Sequence, residues 1–416
     1  MSKSQWSSLL IWVGAVLIII FATVFYRPAA ASTGSLLIWM KGLIYVMDID
    51  TLVLQRVGPA MASEVMAPAP GCFGQTDTPC WVTAGRNVYE VSLGGSTEPN
   101  AGVLLPLGEG FRWVDSAISW SPDGMHLAYG VLNEARNRVE LRVYNAATTE
   151  TRPVFLGADP EIAPAWTAGC AAGLTAADCQ LAFKTRVNNV GVNEARPRLV
   201  ALTLATGVEE TWRLSSESIF ELRWRPDGQL LYSRPKRHFR YAHDGTPAYA
   251  FPSNSRLANM SPDARFTVYY QPFTLQGCQA DTADGCLNLG VWLANGDNPD
   301  NPGLIYNVEL AQSEAGGLNF IPTWSPRGHA FVFFQEGKLI HYDVPQQEAT
   351  IWYKPVQGKL RSIPVFSPDT EAVAFIDDQG QGFSEYRLVV VNPRLQPIEH
   401  IIDTQTGIRL LAWLPN

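Results

Sequence analysis

The chain has 416 residues, a formal net charge of −8 and a charged fraction of 17%, against roughly 25% in an average soluble domain. The apolar content of 46% is enough for a substantial core, which excludes disorder as the main state. The acidic balance argues against a nucleic-acid partner, because nucleic acids are bound through basic surfaces. With 13 Trp, 34 Gly and 29 Pro, the composition favours short strands joined by tight turns.

The chain begins with an apolar run over residues 9–26, in which Thr23 is the one polar side chain. A run of 18 residues reaches the lower limit for a membrane-spanning helix and exceeds the apolar core of a cleaved signal peptide. The sequence Ala29-Ala30-Ala31 nonetheless offers a cleavage site, so an anchor and a cleaved signal both remain open, with the anchor favoured. Either one predicts an export segment with a short linker over residues 1–34. The body at 35–416 is then extracytoplasmic, periplasmic or at the cell surface.

The six cysteines form three close pairs, each with a separation of eight or nine residues: Cys72/Cys80, Cys170/Cys179 and Cys278/Cys286. Three isolated pairs of similar spacing favour three local disulfides, which persist in an oxidising compartment. Zinc sites prefer shorter gaps and clustered Cys or His, so a metal site fits less well. Six free thiols also fit less well, because the cysteines are evenly paired. Asp281 and Asp284 in the third loop raise the alternative of a calcium ion. The loop lacks the alternating ligands of a calcium site, so solvated carboxylates are favoured and no cofactor is expected.

One short motif recurs five times along the chain. The copies are WSPDGMHLAYG from Trp120, WRPDGQLLYSR from Trp224, MSPDARFTVYY from Met260, WSPRGHAFVFF from Trp324 and FSPDTEAVAFI from Phe366. The pattern is that of a β-turn: Ser suits the first position, Pro presets φ at the second, Asp accepts local amide hydrogen bonds and Gly tolerates a positive φ. We expect the large residue before the turn to end one strand and to pack between neighbouring sheets.

When the weaker copy around Trp166 is counted, five steps lead from Trp120 to Phe366, about 49 residues per unit, a period typical of four-stranded propeller blades rather than of helical repeats. Weaker copies around Trp81 and Trp166 fill the gaps. The last strand, around Trp413, complements a first unit from Leu36 that lacks its own first strand. We therefore predict an all-β propeller of eight four-stranded blades, or seven if two weak units are one, closed by the terminal strands and preceded by the N-terminal helix. The predicted blades are 36–57, 68–108, 116–158, 164–215, 218–252, 256–309, 318–357 and 361–404.

These repeats resemble the TolB-like propeller family. The likeness is fullest in WSPDGMHLAY from Trp120 and extends to GLIYVMDID from Gly42, and it is looser at Trp324, where Arg327 replaces the Asp. The resemblance implies a propeller over residues 35–416 and, for TolB itself, a periplasmic role in the Tol–Pal envelope system. TolB has a separate α/β domain before its propeller, and this sequence offers no room for one between residue 26 and the first unit.

Residues of the types used in catalysis occur in contexts that predict structural roles. His126 and His329 lie beside repeated turns, and His238 and His243 are five residues apart, which on one strand places them on opposite faces. The pair Asp377-Asp378 has a turn-like context that predicts solvated carboxylates. The sequence contains no Walker loop, Rossmann fingerprint, zinc signature or G-x-S-x-G elbow. We therefore expect no catalytic residue and no metal.

The loops that lead into the innermost strands predict a partner-binding rim at one end of the central channel. The rim residues are Arg112, Trp113, Asp115, Glu217, Asn319, Arg361 and Arg409. We expect a non-enzymatic, exported, membrane-tethered propeller that binds a protein partner in the envelope as a scaffold. Two alternatives stay open. A hydrolase or lyase acting on a sugar or peptide at the channel mouth needs a carboxylate or His cluster there. A structural subunit of a membrane complex needs extended apolar patches on the blade sides.

Overall fold

The structure is a computed structural model that describes residues 34–40, 42–56, 66–73, 79–91, 102–113, 118–159, 162–185, 198–213, 219, 221–233, 239–248, 256–274, 287–296, 298–309, 321–335, 337–354, 362–378, 385–403 and 408–414. The predicted export segment lies outside these residues. No helix in the described part of the chain is long and apolar enough to cross a membrane.

The described residues form 32 β-strands, grouped below into eight blades in chain order, with the first blade completed by the last strand. Blade 1 contains β1 (Ser35–Met40), β2 (Leu43–Asp48), β3 (Leu54–Arg56) and β32 (Ile408–Leu414); blade 2 contains β4 (Met66–Pro68), β5 (Cys80–Ala84), β6 (Asn87–Val91) and β7 (Val103–Leu104); blade 3 contains β8 (Phe111–Trp113), β9 (Ser119–Trp120), β10 (His126–Asn133), β11 (Arg138–Asn145) and β12 (Thr151–Leu156); blade 4 contains β13 (Ala165–Trp166), β14 (Gln180–Thr185), β15 (Arg198–Thr203) and β16 (Glu209–Arg213).

The second half of the ring continues in the same manner. Blade 5 contains β17 (Glu221–Trp224), β18 (Leu230–Ser233) and β19 (Phe239–Tyr241); blade 6 contains β20 (Arg256–Met260), β21 (Phe266–Thr274), β22 (Leu287–Asn295) and β23 (Asn298–Glu309); blade 7 contains β24 (Thr323–Trp324), β25 (Ala330–Gln335), β26 (Lys338–Asp343) and β27 (Glu348–Tyr353); blade 8 contains β28 (Val365–Phe366), β29 (Val373–Asp378), β30 (Glu385–Val391) and β31 (Ile398–Asp403). Two short 3-10 helices, Pro70–Phe73 and Ala168–Ala172, interrupt blades 2 and 4.

The terminal strands close the ring, as predicted. In blade 1 the antiparallel order is β3-β2-β1-β32, and Leu36 of β1 pairs with Trp413 of β32. The eight sheets confirm eight blades and show that the alternative of seven is wrong. Two details differ from the prediction of four strands in every blade. Blade 3 has the additional strand β8 beside β10, and blade 5 shows three strands within the described residues.

Apolar packing between neighbouring blades holds the ring together. Eight buried clusters occur, and each joins two consecutive blades, including blades 8 and 1, where Leu388 and Leu36 share a cluster. Strand β32 also contacts the first strands of its neighbours, β28 and β4. The strands at this end of each sheet therefore surround the axis of the ring, and they are called the inner strands below.

The repeated motif forms the predicted turn between the first and second strands of a blade. In blade 3 the Ser121 amide donates to the His126 carbonyl at 2.8 Å, and the His126 amide donates back to Ser121 Oγ at 3.0 Å. The Gly124 amide closes the turn on the Ser121 carbonyl at 2.9 Å. Asp123 accepts from the Ser121 hydroxyl and from the Met125 amide. Both the backbone amide and the hydroxyl of the buried Ser121 are thus hydrogen-bonded, which explains why Ser recurs at this position.

Disulfides replace this turn in blades 2 and 4. The bonds Cys72–Cys80 and Cys170–Cys179 are present as predicted, and each closes a loop between the first and second strands of its blade. In blade 4, Thr167 takes the place of the serine: Thr167 Oγ1 accepts the Gln180 amide at 2.9 Å. The third predicted bond, between Cys278 and Cys286, lies outside the described residues.

The aromatic residue of the motif packs between blades, as predicted. Where this residue is tryptophan, its indole also forms a hydrogen bond between blades. Four inner-strand tryptophans donate Nε1–H to a backbone carbonyl of the preceding blade at 3.0 to 3.1 Å: Trp120 to Ala67, Trp166 to Ser119, Trp224 to Ala165 and Trp324 to Asn259. The equivalent residue of the closing blade, Trp413, is fully buried, and its Nε1 has no hydrogen-bond partner among the described residues.

The prediction of a solvated Asp377 is wrong. Asp377 lies at 0% exposure in β29 and pairs directly with Arg387 across the hairpin to β30. The guanidinium Nη2 lies 2.6 Å from Asp377 Oδ2. A carboxylate facing an arginine on a paired strand keeps its charge in the interior, because the partner compensates for the lost hydration. Asp377 is therefore a structural residue of blade 8.

Candidate functional site

An apolar cavity of about 490 Å³ lies against the inner strands of five consecutive blades, 7, 8, 1, 2 and 3. Its wall combines residues far apart in sequence, including Pro68, Ile118, Pro364 and Leu411. Residues of the inner strands β4, β9 and β28 form part of this wall. The cavity is therefore the described part of the central channel.

The cavity wall has little polarity of its own. Ser119 and Thr323 supply its side-chain hydroxyls, and the Thr323 hydroxyl has the Ile321 carbonyl within 3.5 Å. The indoles of Trp120 and Trp324 also line the wall, but both N–H groups donate to the preceding blade. The wall thus presents carbon surface, which suits an apolar group rather than an ion or a reacting carboxylate.

The lining of the cavity combines an exposed apolar residue with a segment held by a disulfide. Ile363, which leads into β28, lines the cavity and is 64% exposed. Pro70 and Phe73 of the first 3-10 helix line it as well, and Cys72 between them is bonded to Cys80. The disulfide therefore restrains part of the wall, which lowers the entropy lost when a ligand orders it.

The predicted rim residues do not form one described cluster. Arg112 in β8 is 65% exposed, with its Nε 4.0 Å from Glu134 Oε1 of the same blade. Trp113 packs beside Tyr129 with ring centroids 6.0 Å apart, also within blade 3. Arg409 lies over the Trp39 ring of blade 1, 5.5 Å from its centroid.

The other four rim residues, Asp115, Glu217, Asn319 and Arg361, lie outside the described residues, as do His238, Asp281 and Asp284. The rim and the calcium alternative therefore remain predictions. The sequence analysis does not identify the cavity residues at the axis. A signal for them is present in Ile363-Pro364, which one residue separates from the repeated motif at Phe366.

His126 has a structural environment in the turn of blade 3. Its Nδ1 lies 3.0 Å from Asp123 Oδ2, and Asn145 Nδ2 lies 3.2 Å from its Nε2. Burial on its own raises the pKa of Asp123, but hydrogen bonds from His126, Ser121 and the Met125 amide outweigh burial and lower that pKa. The carboxylate thus stays charged and holds the turn together.

His341 has the most strongly shifted pKa among the described histidines. It stacks on Trp352 with ring centroids 4.0 Å apart. Burial lowers the pKa of His341 to about 4; the charge of nearby His329 adds to the shift and Asp343 opposes it. Because Trp352 packs against the cluster between blades 7 and 8, the neutral imidazole belongs to that boundary and not to the axial cavity.

The exposed large apolar side chains on the outer parts of the blades are scattered. Val53, Leu104, Val208, Leu304, Ile351 and Ile401 are each at least 41% exposed, and they belong to six different blades. Single exposed apolar residues are normal on a protein surface. Among the described residues, they do not form the extended side patch that the structural-subunit alternative needs.

The sequence matches no family model and no curated protein. Solved structures with a similar fold include a eukaryotic initiation factor, at 9% identity over 92% of this chain and 98% of that chain, with a TM-score of 0.50. They also include oligogalacturonate lyase from Vibrio parahaemolyticus (13% identity, 85% and 97% coverage, TM-score 0.47) and TolB from Acinetobacter baumannii (13% identity, 90% and 79% coverage, TM-score 0.34). At these identities the comparisons show the fold alone. The eight-bladed architecture agrees with the TolB-like propeller fold that the repeats indicate.

Proposed function

We propose that this protein is an exported, non-enzymatic propeller that binds a protein partner by accepting apolar side chains of the partner in the axial cavity. The observation that carries this proposal is the carbon-lined cavity of about 490 Å³ between the inner strands. Its size falls within the range of pockets that bury most of a small ligand, roughly 300 to 1,000 Å³. A protruding peptide segment with one or two large apolar side chains matches it in size and polarity.

The expected strength of this interaction follows from the buried carbon surface. Burying one Leu- or Phe-sized side chain contributes about 1.5 to 3 kcal/mol. Two such side chains, with backbone contacts at the mouth, support a reversible complex rather than a permanent one, because association also costs rotational and translational freedom. A scaffold that assembles and releases partners needs this kind of affinity.

The disulfides support an extracytoplasmic location for this binding. Cys72–Cys80 and Cys170–Cys179 each bridge a short loop, and such bonds persist outside the reducing cytoplasm. The apolar run at residues 9–26 then supplies the export signal and, as the favoured alternative, the membrane anchor. The partner is accordingly sought among envelope proteins.

The test compares two surface variants of equal chemistry. Ile363→Asp places a charge at the mouth of the cavity, and Ile401→Asp places the same charge on β31, where the side chain is 55% exposed. Both residues are exposed, so we expect stability changes within about 0.5 kcal/mol. In affinity capture from envelope extracts, the unmodified protein and Ile401→Asp should retain the same partner and Ile363→Asp should lose it. Equal retention by all three proteins would contradict the cavity as the binding site.

A further inference from the structure

A second, polar pocket of about 840 Å³ lies between blades 6 and 7, on the side of the repeated turns and apart from the axial cavity. The turn of blade 6 contributes Arg265, and the turn of blade 7 contributes Arg327 and His329. Asn301 of β23 and Gln347, which precedes β27, add polar side chains to the lining. None of these residues lines the axial cavity.

Arg327 departs from the repeated turn at a position where the other copies have aspartate. In those copies the carboxylate accepts the backbone amide two residues later: Met125 on Asp123, Gln229 on Asp227, Arg265 on Asp263 and Glu371 on Asp369. A guanidinium has no acceptor, so Arg327 cannot make this bond. The turn of blade 7 therefore lacks the hydrogen bond that the aspartate makes in the other turns, and the Arg327 guanidinium lines the pocket instead.

The pocket is positive on a chain that is negative overall. Arg265 and Arg327 are both exposed, and no described carboxylate pairs with Arg327. Asp263 is the carboxylate of the described lining, and it is already engaged by the Ser261 hydroxyl at 2.5 Å and by Arg265 Nε at 3.8 Å. Two guanidiniums against one occupied carboxylate leave a net positive charge, which suits a carboxylate or phosphate group.

The rest of the lining suits the hydroxylated part of a ligand. The amides of Asn295, Asn301 and Gln347 combine donors and acceptors, as hydroxyl groups require. Phe266 and Tyr342 add aromatic surface, and Phe266 is stacked on Trp324 with ring centroids 6.4 Å apart. Aromatic surface beside amides and cations matches a ring with polar edges, apolar C–H faces and one acidic group.

From these features we propose that the pocket between blades 6 and 7 is a binding site for an anionic sugar, with Arg327 and Arg265 binding its acidic group. The acidic group is a carboxylate, as in a hexuronic acid, or a phosphate, as in a hexose phosphate. The site is independent of the axial cavity, so it gives the propeller a second ligand while the inner strands bind protein.

Three probes distinguish the sources of the acidic group: a hexuronic acid disaccharide, a hexose 6-phosphate and a neutral disaccharide. Binding is measured by isothermal titration calorimetry on the intact exported protein, at low salt because the contacts are charged. We expect at least one acidic probe to bind at least tenfold more tightly than the neutral disaccharide. Whichever acidic probe binds more tightly identifies the acidic group. Equal affinity for the neutral probe, or no saturable binding of either acid at millimolar concentration, would overturn the proposal.

The variant Arg327→Asp separates binding from folding, because it restores the residue of the other turns. The new carboxylate can accept the local amide, so we expect the thermal midpoint to stay the same or rise while affinity for the acidic probe falls at least tenfold. Arg136→Asp, on the exposed hairpin of blade 3, makes the same change in net charge away from the pocket and should leave affinity unchanged. Unchanged binding by Arg327→Asp, or an equal loss in Arg136→Asp, would refute the site.

Discussion

The two boundaries of blade 7 bury similar apolar clusters, but different side chains form the hydrogen bonds across them. Toward blade 6, the Trp324 indole donates to the Asn259 carbonyl at 3.1 Å. Toward blade 8, Phe366 occupies the aromatic position of the motif, and its side chain has no N–H group to donate. There the Tyr353 hydroxyl of blade 7 instead hydrogen-bonds to the Glu399 carboxylate of blade 8. Apolar packing is thus common to both boundaries, whereas the residues that form the hydrogen bond between blades differ from one boundary to the next.

The hydrogen bond between blades 7 and 8 is part of a charged network. Arg387 contacts Asp377 through Nε at 3.0 Å and Nη2 at 2.6 Å, and it contacts Glu399 through Nη1 at 3.0 Å. Hydrogen bonding to Asp377 is the main factor that raises the pKa of Arg387. Burial, reinforced by Glu399, raises the pKa of Tyr353, so the phenol stays protonated and donates. Because Asp377 and Arg387 are both buried, their ion pair depends on both partners, unlike a single neutral hydrogen bond.

The largest effect is expected from Asp377→Ala, which leaves the Arg387 guanidinium buried without its main partner. Removing one partner of a buried ion pair costs about 3 to 5 kcal/mol of unfolding free energy. Urea denaturation measures the loss. The double variant Asp377→Leu/Arg387→Met should recover much of it, because no unpaired charge remains. A loss below about 1 kcal/mol in the single variant would show that the network is not needed at this boundary.

The indole hydrogen bond is isolated by comparing Trp324→Phe with Trp413→Phe. Both changes remove the same atoms from a buried site, but within the part of the chain that the structure describes Trp324 Nε1 has a partner and Trp413 Nε1 has none. Leaving the Asn259 carbonyl unpaired should make Trp324→Phe less stable than Trp413→Phe by about 1 to 2 kcal/mol. Equal losses in chemical denaturation would mean that the indole acts through packing alone.

The pH dependence of stability tests the neutral His341 at the boundary with blade 8. Its folded-state pKa of about 4 lies below the ordinary value of 6.5, so the unfolded chain takes up the proton first. The stability contributed by this shift is complete above pH 6.5 and is lost as the pH falls toward 4. His341→Phe keeps an aromatic ring beside Trp352 but does not titrate. The advantage of the unmodified protein over this variant, read from urea midpoints, should shrink between pH 7 and pH 4.5. A constant difference would contradict the shift.

The smallest effect is expected at the turns on either side of the same boundary. Thr370 in blade 8 has φ of 66°, and Gly328 occupies the equivalent place in blade 7 with φ of 74°. Because a β-branched residue is strained in this region, Thr370→Gly should stabilise the protein by up to about 1 kcal/mol. Gly328→Thr should destabilise it, since its Cβ would also lie 3.3 Å from Asp263 Oδ1. Thermal midpoints that move in the same direction would contradict this account of the turns.

The sequence predicts the fold well where the determinants are local. The turn after Trp120 is specified by consecutive residues, Ser121 to Gly124, whose hydrogen bonds to one another form the motif. The closure of the ring was also predictable, because the unit around Leu36 lacks its first strand and the fragment around Trp413 is a single strand that can take that place. The close Cys pairs predicted the two described disulfides, because each of these bonds closes a single short loop.

The cavity and the buried charges depend instead on where distant strands come together. Pro68 and Leu411 are far apart in sequence and line one cavity because the last strand joins the first blade. The local sequence predicts a solvated Asp377, because Asp378 and the Gln-Gly segment that follows it resemble a loop. The signal that was missed is the arginine ten residues later, which the hairpin places directly opposite Asp377.

The central claim is that the axial cavity receives a protein partner, and site-specific photocrosslinking in intact envelopes tests it most directly. A photoreactive phenylalanine analogue is placed at Ile363, on the cavity mouth, and in a matched protein at Ile401, on the outer strand of blade 8. The account predicts one discrete crosslinked protein from position 363, abolished by Leu411→Glu inside the cavity, and none from position 401. The same crosslinked products from both positions, or none from position 363, would contradict it.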